Sequence, residues 1–208
     1  MAPLLLAGLL LGRLAHASRP PADYRDELHR AAAAQIEAMA ARSQFEDAFE
    51  FGARFTKRVE PGAPVLYEVA LLHNRLGQFD DALSAYDRAI AQDPEHAAAR
   101  YDRGELLLER GEIDRAQADL EAAARLAPTH WVTHFRLAEL AGARGDAPAT
   151  EAHLVDAIRH GFLLETLEQS PTWRGWVHDP ELGPVIARVI VVYGDESLLD
   201  RLLANEPR

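Results

Sequence analysis

The residues best suited to chemistry in this sequence are nine histidines and many carboxylates. His130 and His134 are four residues apart, a spacing at which two imidazoles on one helical face can bind zinc. The zinc-protease form of this spacing needs a glutamate directly after the first histidine, and Trp131 occupies that position. We therefore predict that the pair binds no metal.

Other catalytic signatures are also missing from the sequence. The chain has no cysteine, which excludes disulfides, thiolate metal ligands and a cysteine nucleophile. It contains no glycine-rich phosphate loop and no Gly-x-Ser-x-Gly nucleophile elbow. Carboxylates on amphipathic helices usually form a solvated face. These observations predict a protein that is not an enzyme and that carries no cofactor.

The overall charge limits the kind of partner. The chain carries 22 basic and 33 acidic residues and has a net charge of −11, so a phosphate backbone would be repelled. We predict that it does not bind nucleic acid. Hydrophobic residues make up 48% of the chain, enough for a sizeable buried core.

The N-terminus has features of an export signal. An apolar run from Leu4 to Leu11 precedes Ala15-His16-Ala17, which has the small-x-small form of a signal-peptidase site. The run is too short to span a bilayer, and no other segment is apolar for long enough. We predict a signal peptide at residues 1–17 and a periplasmic or secreted protein; without a genuine signal, the expectation is cytoplasmic. Residues 18–28 are predicted to be an N-terminal extension.

The elements that must position any site are set by an internal repeat. Residues 77–82 (GQFDDA) recur 34 positions later as residues 111–116 (GEIDRA), and Pro94 recurs as Pro128. A period of this length indicates stacked helical hairpins. The repeat defines four gapless units, at residues 29–62, 63–96, 97–130 and 131–164.

Each unit is predicted to contain two amphipathic helices. In the third unit the first helix covers residues 98–110 and the second covers residues 114–126. Gly111 ends the first helix because glycine enters the left-handed conformation without steric cost. Pro128 closes the unit because proline cannot continue a helix.

The period and the small residues resemble the tetratricopeptide repeat. The third unit carries the family residues Gly104, Gly111, Ala116, Ala123 and Pro128. The second unit matches equally well, the fourth lacks the closing proline, and the first is degenerate. The resemblance implies an all-α fold, a right-handed α-solenoid of about four helix pairs.

The C-terminal segment, residues 165–208, departs from the period. It resembles the element that closes many bacterial tetratricopeptide arrays. Short helices are predicted at about 163–169, 171–177 and 180–192, with Ser170 and Asp179 as helix N-caps, and a last helix after Asp195. The favoured interpretation is a helical cap over the open face of the fourth unit. The alternative is a second binding surface around Trp173 and Trp176.

The resemblance also implies a concave binding groove lined by the first helix of each pair. The implied groove residues are Tyr67, Leu71, Asn74, Tyr101, Glu105, Leu108, Phe135 and Glu139. Glu105 and Glu139 occupy positions where a clamp for a carboxylate would need neutral or basic groups. We therefore expect a protein or peptide ligand that is apolar with basic residues nearby. The aromatic row at 67, 101 and 135 has two interpretations, ligand binding and packing.

The function expected from the sequence is a non-enzymatic scaffold or assembly factor that binds protein or peptide. The alternative is a subunit that regulates or carries an enzyme, or else a metal-binding enzyme.

Overall fold

The structure of the chain, a computed structural model, describes residues 22–204. The predicted signal peptide lies outside these residues, as do positions 205–208 of the predicted cap. The described part is helical, and its elements follow in chain order. They are α1 (Ala22–Ala41), α2 (Phe45–Thr56), α3 (Ala63–Arg75), α4 (Phe79–Gln92), α5 (Ala97–Glu109), α6 (Ile113–Leu126), α7 (Trp131–Ala143), α8 (Ala147–Arg159), a 3-10 helix (Leu164–Gln169), α9 (Pro171–Trp176), α10 (Leu182–Tyr193) and α11 (Glu196–Ala204).

The chain divides into two compact halves within α5, between Leu106 and Leu107. The N-terminal half contains α1 to α4 and most of α5. The C-terminal half contains the end of α5 and all later elements. Within residues 22–204, no helix combines the length and apolar character that a bilayer span requires.

Glycine ends the first helix of three pairs, as predicted for Gly111. Gly77, Gly111 and Gly145 have φ angles of 71°, 75° and 72°, in the left-handed region. The residue after each glycine donates its backbone N–H to the carbonyl five residues earlier. These bonds are 2.9 Å long and join Gln78 to His73, Glu112 to Leu107 and Asp146 to Ala141. This arrangement is the Schellman motif, which satisfies carbonyls left open at a helix end.

Ser43 occupies the corresponding place in the first pair. Its φ is 61°, and the next residue, Gln44, donates its N–H to the carbonyl of Met39 over 3.0 Å. A side chain in this conformation is strained because its Cβ lies too close to the backbone. The first unit therefore keeps this turn without the family glycine.

Replacing Ser43 with glycine is expected to raise the free energy of unfolding by about 0.5–1 kcal/mol. Relief of left-handed strain, about 1–2 kcal/mol, is partly offset by the greater freedom that glycine gives the unfolded chain. Urea unfolding would measure the change. Ser43→Ala is the matched control and should bring no gain, because alanine keeps the strain.

The N-terminal half is built from two packed helix pairs. Helix α1 packs on α2, α3 packs on α4, and α1 also packs on α3. Ala70, Ala82 and Ala89, which match small positions of the family, are completely buried. Small side chains at these positions let the helices approach closely.

The first helix begins earlier than the repeat predicts. It starts at Ala22, inside the segment predicted to be an extension at residues 18–28. Leu28 is 1% exposed and packs in one core cluster with Ile36 and Phe55. The apolar face of the helix therefore continues before position 29. The 34-residue period gives the start of the repeat unit at residue 29. The start of the helix is set instead by the burial of its apolar face, which begins earlier.

The predicted C-terminal cap is confirmed. Helices α7 and α8 pack on each other, and α10 packs on α8. Leu154 of α8 belongs to the same buried core as Leu167, Trp173 and Ile186. The segment after the fourth unit therefore covers the apolar face that this unit would otherwise leave open.

The helix starts within the cap agree in part with the predictions. The Ser170 Oγ accepts the Trp173 N–H over 3.5 Å, so Ser170 is the N-cap of α9 as predicted. The α10 helix begins at Leu182, two residues after the predicted start at 180. The N-cap of α10 is Glu181, so the prediction of Asp179 as the N-cap is wrong. The Asp179 carboxylate accepts N–H groups from Glu181 and Leu182 over 2.8 and 2.9 Å and forms a turn that ends at the first residue of the helix. These bonds also lower the pKa of Asp179.

Candidate functional site

The eight groove residues implied by the sequence lie on α3, α5 and α7, the first helices of three pairs. All eight side chains are half-buried. Tyr101 and Glu105 lie on the part of α5 that belongs to the N-terminal half, and Leu108 lies on the part that belongs to the C-terminal half. Ligand contact by these eight residues stays a prediction.

A pocket of about 290 Å³ lies between α1 and α3 in the N-terminal half. We call it the α1–α3 pocket. Its lining residues are Glu37, Ala40 and Ala41 of α1 and Tyr67, Glu68, Leu71, Leu72 and Arg75 of α3. Two implied groove residues, Tyr67 and Leu71, are therefore brought to one cavity, and Asn74 is not part of its lining.

Tyr67 is held firmly at this pocket. Its hydroxyl donates a 2.7 Å hydrogen bond to Asp102 Oδ2, and its ring lies 4.7 Å from the ring of His96. Burial raises the pKa of Tyr67, and the negative charge of Asp102 raises it further. The hydroxyl therefore stays protonated and remains a donor. Tyr67 both packs against its neighbours and lines the pocket.

Glu68 is one of the pocket residues that the sequence did not single out. Its pKa is raised to about 7, chiefly by burial and next by the nearby Glu37 carboxylate. Arg75 lowers the pKa of Glu68, and Asp102 raises it. Near neutral pH the side chain is thus about half ionised. Glu68 is the sixth residue of the second unit, and the family resemblance implied no groove residue at that position.

In the C-terminal half, Phe135 and Glu139 are engaged by the cap. The Phe135 ring stacks on Phe162 and on Trp173, with centroid distances of 4.4 and 5.6 Å. Glu139 accepts a hydrogen bond from Trp173 Nε1 over 3.4 Å and pairs with Arg136 over 2.8 Å. Both residues therefore have a packing role, whether or not they also touch a ligand.

The histidines suited to metal binding are used in other ways. His130 bonds the Thr133 hydroxyl over 2.7 Å, whereas His134 Nε2 bonds the carbonyl of Pro128 over 3.0 Å. The His134 ring lies near His153 and His160, with centroid distances of 6.1 and 5.9 Å. In the described part of the chain, no group of three or more histidine, aspartate or glutamate side chains is arranged to hold a metal ion.

The His134–His153 pair predicts an acid-sensitive C-terminal half. Burial lowers the pKa of His153, and the neighbouring His134 lowers it further. The unfolded chain then binds more protons than the folded chain, so this contribution to stability is present above about pH 6.5 and is lost as the pH falls. Thermal melting between pH 7.5 and 5.5 would measure the loss.

Replacing His153 with glutamine should flatten this pH dependence. His178→Gln is the matched control, because His178 is exposed. Equal pH dependence in wild type and in His153→Gln would contradict the assignment.

Comparison with known proteins agrees with the fold. The tetratricopeptide repeat model matches residues 67–130. Three solved structures share the architecture. MamA from Desulfovibrio magneticus RS-1 has a TM-score of 0.58 and 15% identity, and the match covers 85% of this chain and 91% of that one. TTC0263 from Thermus thermophilus has a TM-score of 0.53 and 19% identity, with 85% and 87% of the two chains covered. YrrB, described as a TPR protein with an unusual peptide-binding site, has a TM-score of 0.54 and 16% identity, with 67% and 72% covered. No curated protein matches the sequence.

The helix pairs, the glycine-ended first helices and the buried small residues define an all-α repeat protein. Together with the repeat model that matches residues 67–130, they show that the chain has the tetratricopeptide-repeat fold.

Proposed function

We propose that this chain is a non-enzymatic scaffold or assembly factor that binds a segment of another protein on the first helices of its repeats. The α1–α3 pocket carries the proposal, because it is a concave cavity lined by two implied groove residues. The similar structure of YrrB is described as having an unusual peptide-binding site, which is consistent with such a role.

The chemistry of the pocket favours an apolar segment with basic residues. Tyr67 and Leu71 offer apolar surface, and Glu37 and Glu68 offer negative charge. Charge complementarity of this kind raises the association rate and the specificity more than the affinity. The net charge of −11 acts in the same direction over longer distances.

Export of the protein is a separate part of the proposal. It rests on the apolar run from Leu4 to Leu11 and on the Ala15-His16-Ala17 sequence. N-terminal sequencing of the protein from its native host should begin at Ser18. An intact Met1 on protein recovered from the cytoplasm would contradict export and leave the fold unaffected.

Affinity capture with the mature chain tests the binding role. Replacing Leu71 with arginine places a bulky positive charge in the pocket, so we expect the captured partner to bind at least about tenfold more weakly, a loss of about 1.4 kcal/mol. Isothermal calorimetry with the purified partner would measure it, and circular dichroism would check folding.

Leu126→Arg is the matched control. Leu126 is 38% exposed on α6, a second helix. Undiminished binding by the folded Leu71→Arg variant would place the partner on another surface.

The same capture separates the remaining function classes. A captured enzyme whose activity changes on binding would favour a regulatory or carrier subunit. Stoichiometric zinc in the purified protein would favour the metal-binding enzyme instead.

A further inference from the structure

The α1–α3 pocket combines negative charge with an apolar wall. We propose that it binds one lysine or arginine side chain of the partner segment. The positive charge would lie beside Glu37 and Glu68, and the aliphatic stem would lie against Tyr67 and Leu71. This inference rests on the proposed function, since it names what the same surface recognises.

The first argument is the excess of negative charge in the lining of the pocket. Glu37 of α1, Glu68 and Arg75 all line the pocket, so two carboxylates share one guanidinium there. The Arg75 guanidinium also makes a cation–π contact, because its Cζ lies 5.9 Å from the centre of the Phe45 ring on α2. An added cation would therefore be attracted to Glu37 and Glu68.

A buried tyrosine is affected by the same carboxylates. Tyr86 of α4 is completely buried, and its hydroxyl has no hydrogen-bond partner among residues 22–204. Burial raises its pKa, and Asp102 and Glu68 raise it further. The hydroxyl therefore stays neutral and does not compensate the carboxylates.

The second argument is the shape and lining of the cavity. Its volume of about 290 Å³ is close to the lower end of small-molecule sites, about 300–1,000 Å³, which suits one long side chain. Apolar surface in the pocket comes from Ala40, Ala41 and Leu71. The methylene groups of a lysine or arginine side chain can pack on it while the charged end stays near the carboxylates. The Tyr67 ring can add a cation–π contact.

Binding of a cation should release a proton from Glu68. Its pKa is about 7 in the free protein, and a neighbouring positive charge lowers it. Binding should therefore be tighter at high pH, by about tenfold between pH 6 and pH 8 if the bound carboxyl is fully ionised. A Glu68 variant is needed to show that the pH dependence comes from this carboxyl.

The test is selection from a random peptide library displayed on phage, with the full chain immobilised. Wild type should enrich peptides with arginine or lysine beside apolar residues. One selected peptide, and the same peptide with citrulline for arginine or norleucine for lysine, would then be titrated by fluorescence anisotropy at pH 6 and pH 8. We expect about tenfold pH dependence for wild type and less than twofold for Glu68→Gln.

Glu50→Gln is the matched control. Glu50 is an exposed residue of α2, and its loss should leave the pH dependence unchanged. Glu68→Gln removes a charge that burial disfavours, so it should fold at least as well as wild type.

The outcomes distinguish the two claims. Enriched peptides that lack basic residues but lose binding to Leu71→Arg would overturn the cation pocket and leave the proposed function standing. Unchanged affinity and pH dependence in Glu68→Gln would also overturn the cation pocket. Failure to enrich any peptide, or enrichment unaffected by Leu71→Arg, would overturn both.

Discussion

Replacing Trp173 with alanine is expected to lower the free energy of unfolding by about 3–5 kcal/mol, the usual cost of deleting a buried aromatic side chain. Trp173 is completely buried in the core of the C-terminal half. Its ring stacks on Phe135, and its Nε1 donates to Glu139. The substitution therefore leaves a cavity and removes a hydrogen-bond donor from a half-buried carboxylate. Denaturant unfolding followed by circular dichroism would measure the loss.

Leu163→Ala is the control for this experiment. Leu163 is 67% exposed and lies just before the 3-10 helix of the same segment, so its loss should cost less than about 0.5 kcal/mol. A Trp173→Ala protein of wild-type stability that no longer binds its partner would favour the alternative, in which the cap is a binding surface.

The second large effect is expected on binding. Tyr101 and Phe135 recur at the 34-residue spacing on first helices, and aromatic side chains are frequent binding hot spots. The double substitution Tyr101→Ala and Phe135→Leu should weaken partner binding by about 2 kcal/mol, roughly 30-fold. Leucine is chosen at 135 because it keeps apolar contact with Trp173. Calorimetry would measure the affinity, and circular dichroism would check that the variant is folded.

Phe79→Ala is the matched control for the binding experiment. Phe79 is 42% exposed at the start of α4, a second helix, so its removal should leave affinity unchanged. A folded double variant with wild-type affinity would show that Tyr101 and Phe135 serve packing alone. The α1–α3 pocket would then remain the candidate surface.

Much of the fold was predictable because local chemistry and the repeat agree. Gly77, Gly111 and Gly145 mark helix ends at which the backbone conformation itself favours glycine. The first unit matched the family less well because serine replaces glycine at this turn. Ser43, 34 residues before Gly77, adopts the same conformation as the glycines. The sequence did not indicate that α1 starts at Ala22, because Leu28 is buried by tertiary contacts that a repeat period does not encode.

The candidate site was predictable only in part. The family positions placed Tyr67 and Leu71 at a cavity, but they do not include Glu37 or Glu68. The unusual pKa of Glu68 depends on burial and on carboxylates from other helices, which the linear sequence does not reveal. The sequence also treated Phe135 and Trp173 as members of separate surfaces. Their rings stack on each other, a contact between residues 38 positions apart that only the fold brings about.

The contact between Trp176 and Gly142 has a consequence for how this protein could evolve. A repeat array can lengthen by duplication when each unit presents the same surface to the next. Here a Cβ on Gly142 would lie 2.5 Å from the Trp176 ring, so this place accepts glycine alone without a shift of the ring. The corresponding residues of the second and third units are Asn74 and Leu108. A copy of either unit inserted after residue 164 would meet the tryptophan with a side chain in its way, so new repeats would be tolerated only upstream of the fourth.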